Sequence, residues 1–211
     1  MRIGLVYVFP IAKFQLYEPM ARRFIAAYRK YSTAAESDLY VCINGSDHAT
    51  QRQTDLFLEV SPKFIFHDNS AKDIGAYRLA ASILSCDLLV CLGTPVRPCV
   101  EGWLDYMVAA FERHGPGIYG CWGYHVPSRH LRTTCFWLPP AVLNAYPHRI
   151  TTGERYEFEF GNRSLSAFGL SMGLPLIQVT LAGTFPVEQF HHVEREESIM
   201  LDQHCDRLGY Q

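Results

Sequence analysis

The sequence carries almost no net charge: 19 Lys and Arg stand against 21 Asp and Glu, a formal net charge of -2 over 211 residues. That excludes a global field able to recruit nucleic acid or an acidic membrane surface. No apolar run approaches the roughly 20 residues needed to cross a bilayer. The N-terminal apolar stretch is interrupted by Pro10 and Lys13 and has no small-residue cleavage site, so it reads as a strand and not a secretion signal. The seven cysteines include no C-x-x-C pair, and Cys42, Cys91 and Cys135 fall in apolar segments. They read as reduced, structural thiols of a cytoplasmic protein. Neither G-x-G-x-x-G nor a P-loop follows the first apolar run, which continues Phe9-Pro10-Ile11-Ala12, so an NAD, FAD or P-loop enzyme is disfavoured. A G-x-S-x-G hydrolase elbow is also missing.

What is present describes a folded domain. With 48% hydrophobic and 19% charged residues the chain has ample material for one core. Residues 3–9 form a continuous apolar run, the pattern of a strand buried on both faces. A helix over 17–31, a strand over 39–43 and a helix over 51–60 follow. The centre of the chain, residues 64–94, reads as strand (64–67), polar turn (68–72), helix (73–85) and apolar strand (88–92). On that helix Ile74, Tyr77, Ala81 and Leu84 recur at helical spacing, and Ser70 with Asp73 has the spacing of a capping box. Strands alternating with helices give an α/β, Rossmann-like fold, a mostly parallel sheet flanked by helices in a single domain. In such sheets ligands bind outside the carboxyl ends of the strands. That puts Asp68, Asn69, Lys72 and Asp73 at a candidate site. Asp73 has two readings, helix cap and ligand group, and one carboxylate can serve both.

The second half predicts a helix over 101–112, strands over 118–122 and 133–138, a helix over 162–172 and a strand over 176–180. Residues 156–160 alternate strictly, with Tyr156, Phe158 and Phe160 on one face and Glu157 and Glu159 on the other, as in a strand. Residues 184–211 are expected to lie over the sheet, partly as a short helix.

The run Asp68-Asn69-Ser70-Ala71-Lys72-Asp73-Ile74-Gly75-Ala76-Tyr77 resembles the N-x-G-x-D-x-G-A-y stretch of small GT-A glycosyltransferases of the rhamnan-synthesis and polysaccharide-biosynthesis type. Pro98 and Trp103 resemble that family's G-P and Trp-bearing helix. His130-Leu131-Arg132-Thr133-Thr134-Cys135-Phe136-Trp137 resembles its H-L-q-s-y-F-l strand, and residues 156–173 its Y-E, helix, Gly segment. The resemblance covers roughly residues 64 to 175. It implies a GT-A fold with a nucleotide-binding half (1–94), an acceptor half (95–183) and a C-terminal tail (184–211). It implies a UDP- or GDP-sugar donor and an acceptor hydroxyl on a saccharide, lipid-linked sugar or modified nucleobase.

Glycosyl transfer needs a clamp for the nucleoside, charge or dipoles for the leaving diphosphate and, in inverting enzymes, a base for the acceptor. Asp68, Asn69 and Asp73 are candidates for the clamp, and Arg97 with Lys72 for the diphosphate. The resemblance carries the family's acceptor-side carboxylate onto Glu159, with Glu157 as its neighbour on the same strand face, where mutual repulsion would raise one pKa. One departure is clear. The family's D-x-D, which holds a divalent ion (Mn or Mg) after the fourth strand, is replaced by Cys91-Leu92-Gly93-Thr94. His191, His192 and His204 in the tail are candidate ligands in its place; the bland reading is that they are exposed. The missing motif leaves a second hypothesis, a non-catalytic nucleotide-binding module of the same fold, and a flavodoxin-like domain is a third.

Overall fold

Continuous apolar runs make the first strands, and the computed structural model places them at the centre of one sheet. The structure describes residues 1–203. In chain order the elements are β1 (Ile3–Pro10), α1 (Phe14–Lys30), β2 (Asp38–Asn44), α2 (Gln51–Phe57), β3 (Lys63–His67), α3 (Lys72–Ile83) and β4 (Leu88–Leu92). There follow β5 (Arg97–Pro98), α4 (Trp103–His114), β6 (Ile118–Gly120), β7 (Gly123–Tyr124), β8 (His130–Leu131) and β9 (Cys135–Leu138). The last are α5 (Pro140–Ala145), α6 (Arg155–Glu159), α7 (Leu165–Ser171), β10 (Leu176–Thr180), β11 (Gly183–Pro186) and β12 (Met200–Leu201).

Eight strands form one sheet in the order β11-β10-β6-β9-β4-β1-β2-β3. β9 is antiparallel to β4 and β6, and β11 to β10; the other neighbours in the sheet are parallel. This is the α/β, mainly parallel single domain expected from the alternation of elements. The chain builds outward from β1 through β2 to β3, then returns to place β4 on the other side of β1. The crevice at the carboxyl ends of β1 and β4 is therefore the topological switch point of the sheet.

Two cores form, one on each face. On one side Tyr7 stacks on Phe24 of α1 with ring centroids 4.1 Å apart, and Phe57, Trp103 and Trp137 fill the same layer. On the other, Ile74, Tyr77, Ala80 and Ala81 of α3 pack on Val6, Val8, Cys91 and Phe136. The stripe Ile74, Tyr77, Ala81 is buried as its spacing predicts, while Leu84 is only half-buried. Among the described residues no helix is long and apolar enough to cross a membrane.

Two local expectations are corrected. Residues 156–160 are not a strand: Arg155–Glu159 is the short helix α6. Thr151 and Glu154 form a capping box just ahead of it, with Thr151 Oγ1 donating to Glu154 Oε2 over 2.8 Å. Of the three alternating rings only Phe158 enters the core, edge-on to Tyr146, whereas Tyr156 is 55% exposed. Ser70 and Asp73 make no capping box either. The helix starts at Lys72 with no side-chain cap, and the Ser70 N–H donates instead to Asp68 Oδ1 over 2.9 Å. Residues 184–203 carry the edge strand β11, two single 3₁₀ turns and β12, and the rest of the 184–211 tail lies outside the described residues.

Candidate functional site

A cleft of about 930 Å³ opens at the switch point. Pro10 ends β1, Asn44 ends β2, and Gly93, Thr94 and Pro95 continue β4; all of them line it. The elbow between β3 and α3 contributes Asn69, Lys72, Asp73 and Ile74. From the second half come Tyr124, His130, Arg132, Thr133 and Thr134, and the helix α6 adds Arg155, Tyr156 and Glu159. The cleft is thus walled by both halves of the chain.

The elbow holds an unusual backbone. Asn69 has φ of 68° and Lys72 φ of 52°, both in the left-handed region. Asparagine tolerates that region; for lysine it costs about 1–2 kcal/mol, which the surrounding fold must offset. His67 braces the turn: its Nδ1 lies 2.8 Å from Asn44 Oδ1 and 3.0 Å from the Asn69 N. Burial lowers the His67 pKa, and the Asp68 carboxylate partly opposes that. A further strut comes from across the cleft, where Thr152 Oγ1 donates to the Ser70 carbonyl over 2.8 Å.

Two carboxylates share the cleft. Burial raises the Asp73 pKa above the usual carboxylate range, Arg155 draws it down, and the charge of Glu159 adds to the rise. Glu159 is held by Thr133, whose N–H and Oγ1 both donate to Oε2, over 3.1 and 2.9 Å. Beside them Arg132 makes a 2.6 Å ion pair with Asp202, which is 1% exposed, and its guanidinium lies 5.7 Å from the centre of the Trp122 ring.

Of the residues singled out from sequence, Asn69, Lys72, Asp73, Glu159 and His192 come together in this cleft. The others do not. Asp68 is exposed beside the elbow, its carboxylate turned to Ser70. Arg97 departs because β5 leaves the main sheet and pairs with β12. There it lines a second cavity, of about 480 Å³, with Arg23, Lys30 and Arg195. Glu157 faces away because residues two apart on a helix point roughly 200° from one another; it lies against Gly161, and behind the larger effect of Glu154 it adds to the raised pKa of Arg163. The carboxylate whose pKa Glu159 helps to raise is Asp73.

Among the described residues no three His, Cys, Asp or Glu side chains converge, and Gly93 and Thr94 stand where the implied divalent ion's carboxylates would follow β4. His191 packs edge-on to Phe185 and lies 3.9 Å from Glu197. His192 is exposed at the cleft, 3.7 Å from Glu194. His204 lies outside the described residues. Sequence reasoning missed Lys13, Arg155 and the role of Arg132, which stands in the run 130–137 where the family pattern has no cation. The Thr151-x-x-Glu154 spacing was the one available signal for α6 and so for Arg155.

No family model matches the chain, and no curated protein matches it in sequence. Solved structures do. Mouse xyloside xylosyltransferase 1 in its apo form superposes with a TM-score of 0.52 at 12% identity, covering 82% of each chain. A CMP:2-keto-3-deoxy-manno-octonic acid synthetase complexed with CTP superposes with a TM-score of 0.55 at 8% identity, over 83% of this chain and 88% of that one. At such identities the likeness is one of fold: a GT-A-like, Rossmann-like fold common to these glycosyl and nucleotidyl transferases.

Proposed function

We propose that the chain is a glycosyltransferase of GT-A type, moving a sugar from a UDP- or GDP-sugar to an acceptor hydroxyl. The observation that carries this reading is the cleft itself, which brings a braced polar elbow, a set of cations and a positioned carboxylate to the switch point of the sheet. Asn69 and Asp73 hold the nucleotide and Lys72 faces the diphosphate, so residues 1–94 supply the donor side. Residues 95–183 supply the acceptor side, with Glu159 as base.

In the step, the acceptor oxygen bonds to the anomeric carbon while that carbon's bond to the diphosphate oxygen breaks. The diphosphate leaves with the electron pair, and the acceptor proton passes to Glu159. Thr133 fixes Oε2 of that carboxylate with two donors, which orients Oε1 as the oxygen for the acceptor hydroxyl. Holding the base in place before the reaction is the part of the rate that structure can supply in advance. The acceptor classes that accord with this chemistry are glycans, lipid-linked sugars and hydroxylated nucleobases.

Calorimetric titration with UDP, GDP and their sugars tests the reading, and binding of none of them at millimolar concentration overturns it. One observation favours a second reading, a nucleotide-binding module without turnover: Gly93 and Thr94 stand where a metal-holding carboxylate would follow β4. Hydrolysis or transfer from a bound sugar nucleotide rules that module out, whereas nucleotide binding without turnover, with or without manganese, favours it.

A further inference from the structure

The end of β4 is tightly packed where the side chains that would hold a metal ion are expected. A Cβ on Gly93 would already lie 3.2 Å from the Thr134 carbonyl and 3.6 Å from the Tyr77 hydroxyl. The Thr94 hydroxyl donates to the Val8 carbonyl over 2.8 Å, and its own carbonyl accepts from the Tyr7 hydroxyl over 2.7 Å. Thr94 is thus spent on holding the end of β4 to β1, and the Gly93 N–H donates to the Thr134 carbonyl. Meanwhile Lys13, Lys72, Arg132 and Arg155 reach the same cleft from four separate segments. Among the described residues Asp73 and Glu159 are the carboxylates that line it with them, and Asp202 is paired with Arg132. The twelve-residue helix α3 begins at Lys72, so its N-terminal N–H groups add partial positive charge at the same wall.

On the donor reading above, which this inference rests on, we propose that the nucleotide diphosphate is held by Lys13, Lys72 and Arg155, with Arg132 behind them, and without a bridging divalent ion. Such a site pairs the diphosphate oxygens with ammonium and guanidinium groups through charge-assisted hydrogen bonds. Arg132 is set apart from the other three because its partner Asp202 is buried, so it shapes the wall and is a poor choice for mutation.

The test is titration of the full chain with UDP and with GDP in EDTA, in magnesium and in manganese. The proposal expects Kd values within about threefold of one another across the three conditions. It also expects Lys72→Gln and Arg155→Gln each to weaken binding in EDTA by about tenfold, as for loss of a charged hydrogen bond. An unchanged melting temperature checks that these two variants remain folded. Binding tighter by about tenfold or more in manganese than in EDTA, or variants that bind as the parent does, overturns the metal-free site and leaves the donor reading standing. Failure to bind in all three conditions overturns both.

Discussion

A Cβ placed on Gly75 would come within 2.5 Å of Nε2 of His67. The missing side chain in the first turn of α3 is the space the imidazole fills, and that imidazole braces Asn44 and Asn69 at the cleft. A glycine inside a helix is thereby linked to the shape of the elbow that lines the cleft.

Gly75→Ala should destabilise the fold by about 1–3 kcal/mol, the usual cost of overpacking a filled site. Adding His67→Ala should recover part of that loss, because it removes the atoms being struck. Denaturant unfolding of the two variants decides it; an unchanged midpoint for Gly75→Ala would show that the ring moves aside freely.

Asp73 gives a dependence on pH. Its folded pKa lies above the unfolded value because of burial, so the folded state holds its proton more tightly. Ionising it costs stability, and the cost grows as pH rises from the unfolded carboxylate pKa to the folded one. Asp73→Asn should therefore melt higher than the parent at neutral pH, with the gap closing towards acid, and it should bind nucleotide less well. A variant that melts lower than the parent at neutral pH contradicts the direction of the shift.

Glu159→Gln should keep donor binding while lowering transfer by about 10²–10⁴-fold, the range for loss of a general base. Thr133→Val removes the hydroxyl that donates to Oε2 but keeps the backbone donor, so a smaller fall in kcat with little change in donor Kd is expected. Single-turnover measurements separate the two quantities, and full turnover in Glu159→Gln removes it from the role of base.

Arg132→Met removes the 2.6 Å ion pair that Arg132 makes with the buried Asp202 carboxylate. Breaking such a pair from one side costs about 3–5 kcal/mol, so a large drop in the unfolding midpoint is expected. A loss under about 1 kcal/mol would place the pair in the surface class.

The first four strands and the elbow were legible because β1 and β4 are unbroken apolar runs and Asp68-Asn69-Ser70 is a polar break between two periodic segments. Three features were not. Alternating rings at 156, 158 and 160 imitate a strand, and only the fold shows that Phe158 alone has a core to enter. Arg97 sits a few residues past β4 in sequence, yet β5 pairs with Met200–Leu201 from the far end of the described chain and carries it to another cavity. Arg155 and Lys13 become neighbours of the elbow only through tertiary packing, which no local pattern encodes.

The most direct test of the central claim is a crystal structure of the protein soaked with a UDP- or GDP-sugar. The account predicts nucleotide density in the cleft between Pro10, Asn69 and Asp73, with the diphosphate beside Lys72 and Arg155. Nucleotide bound elsewhere on the molecule, with this cleft empty, would contradict it.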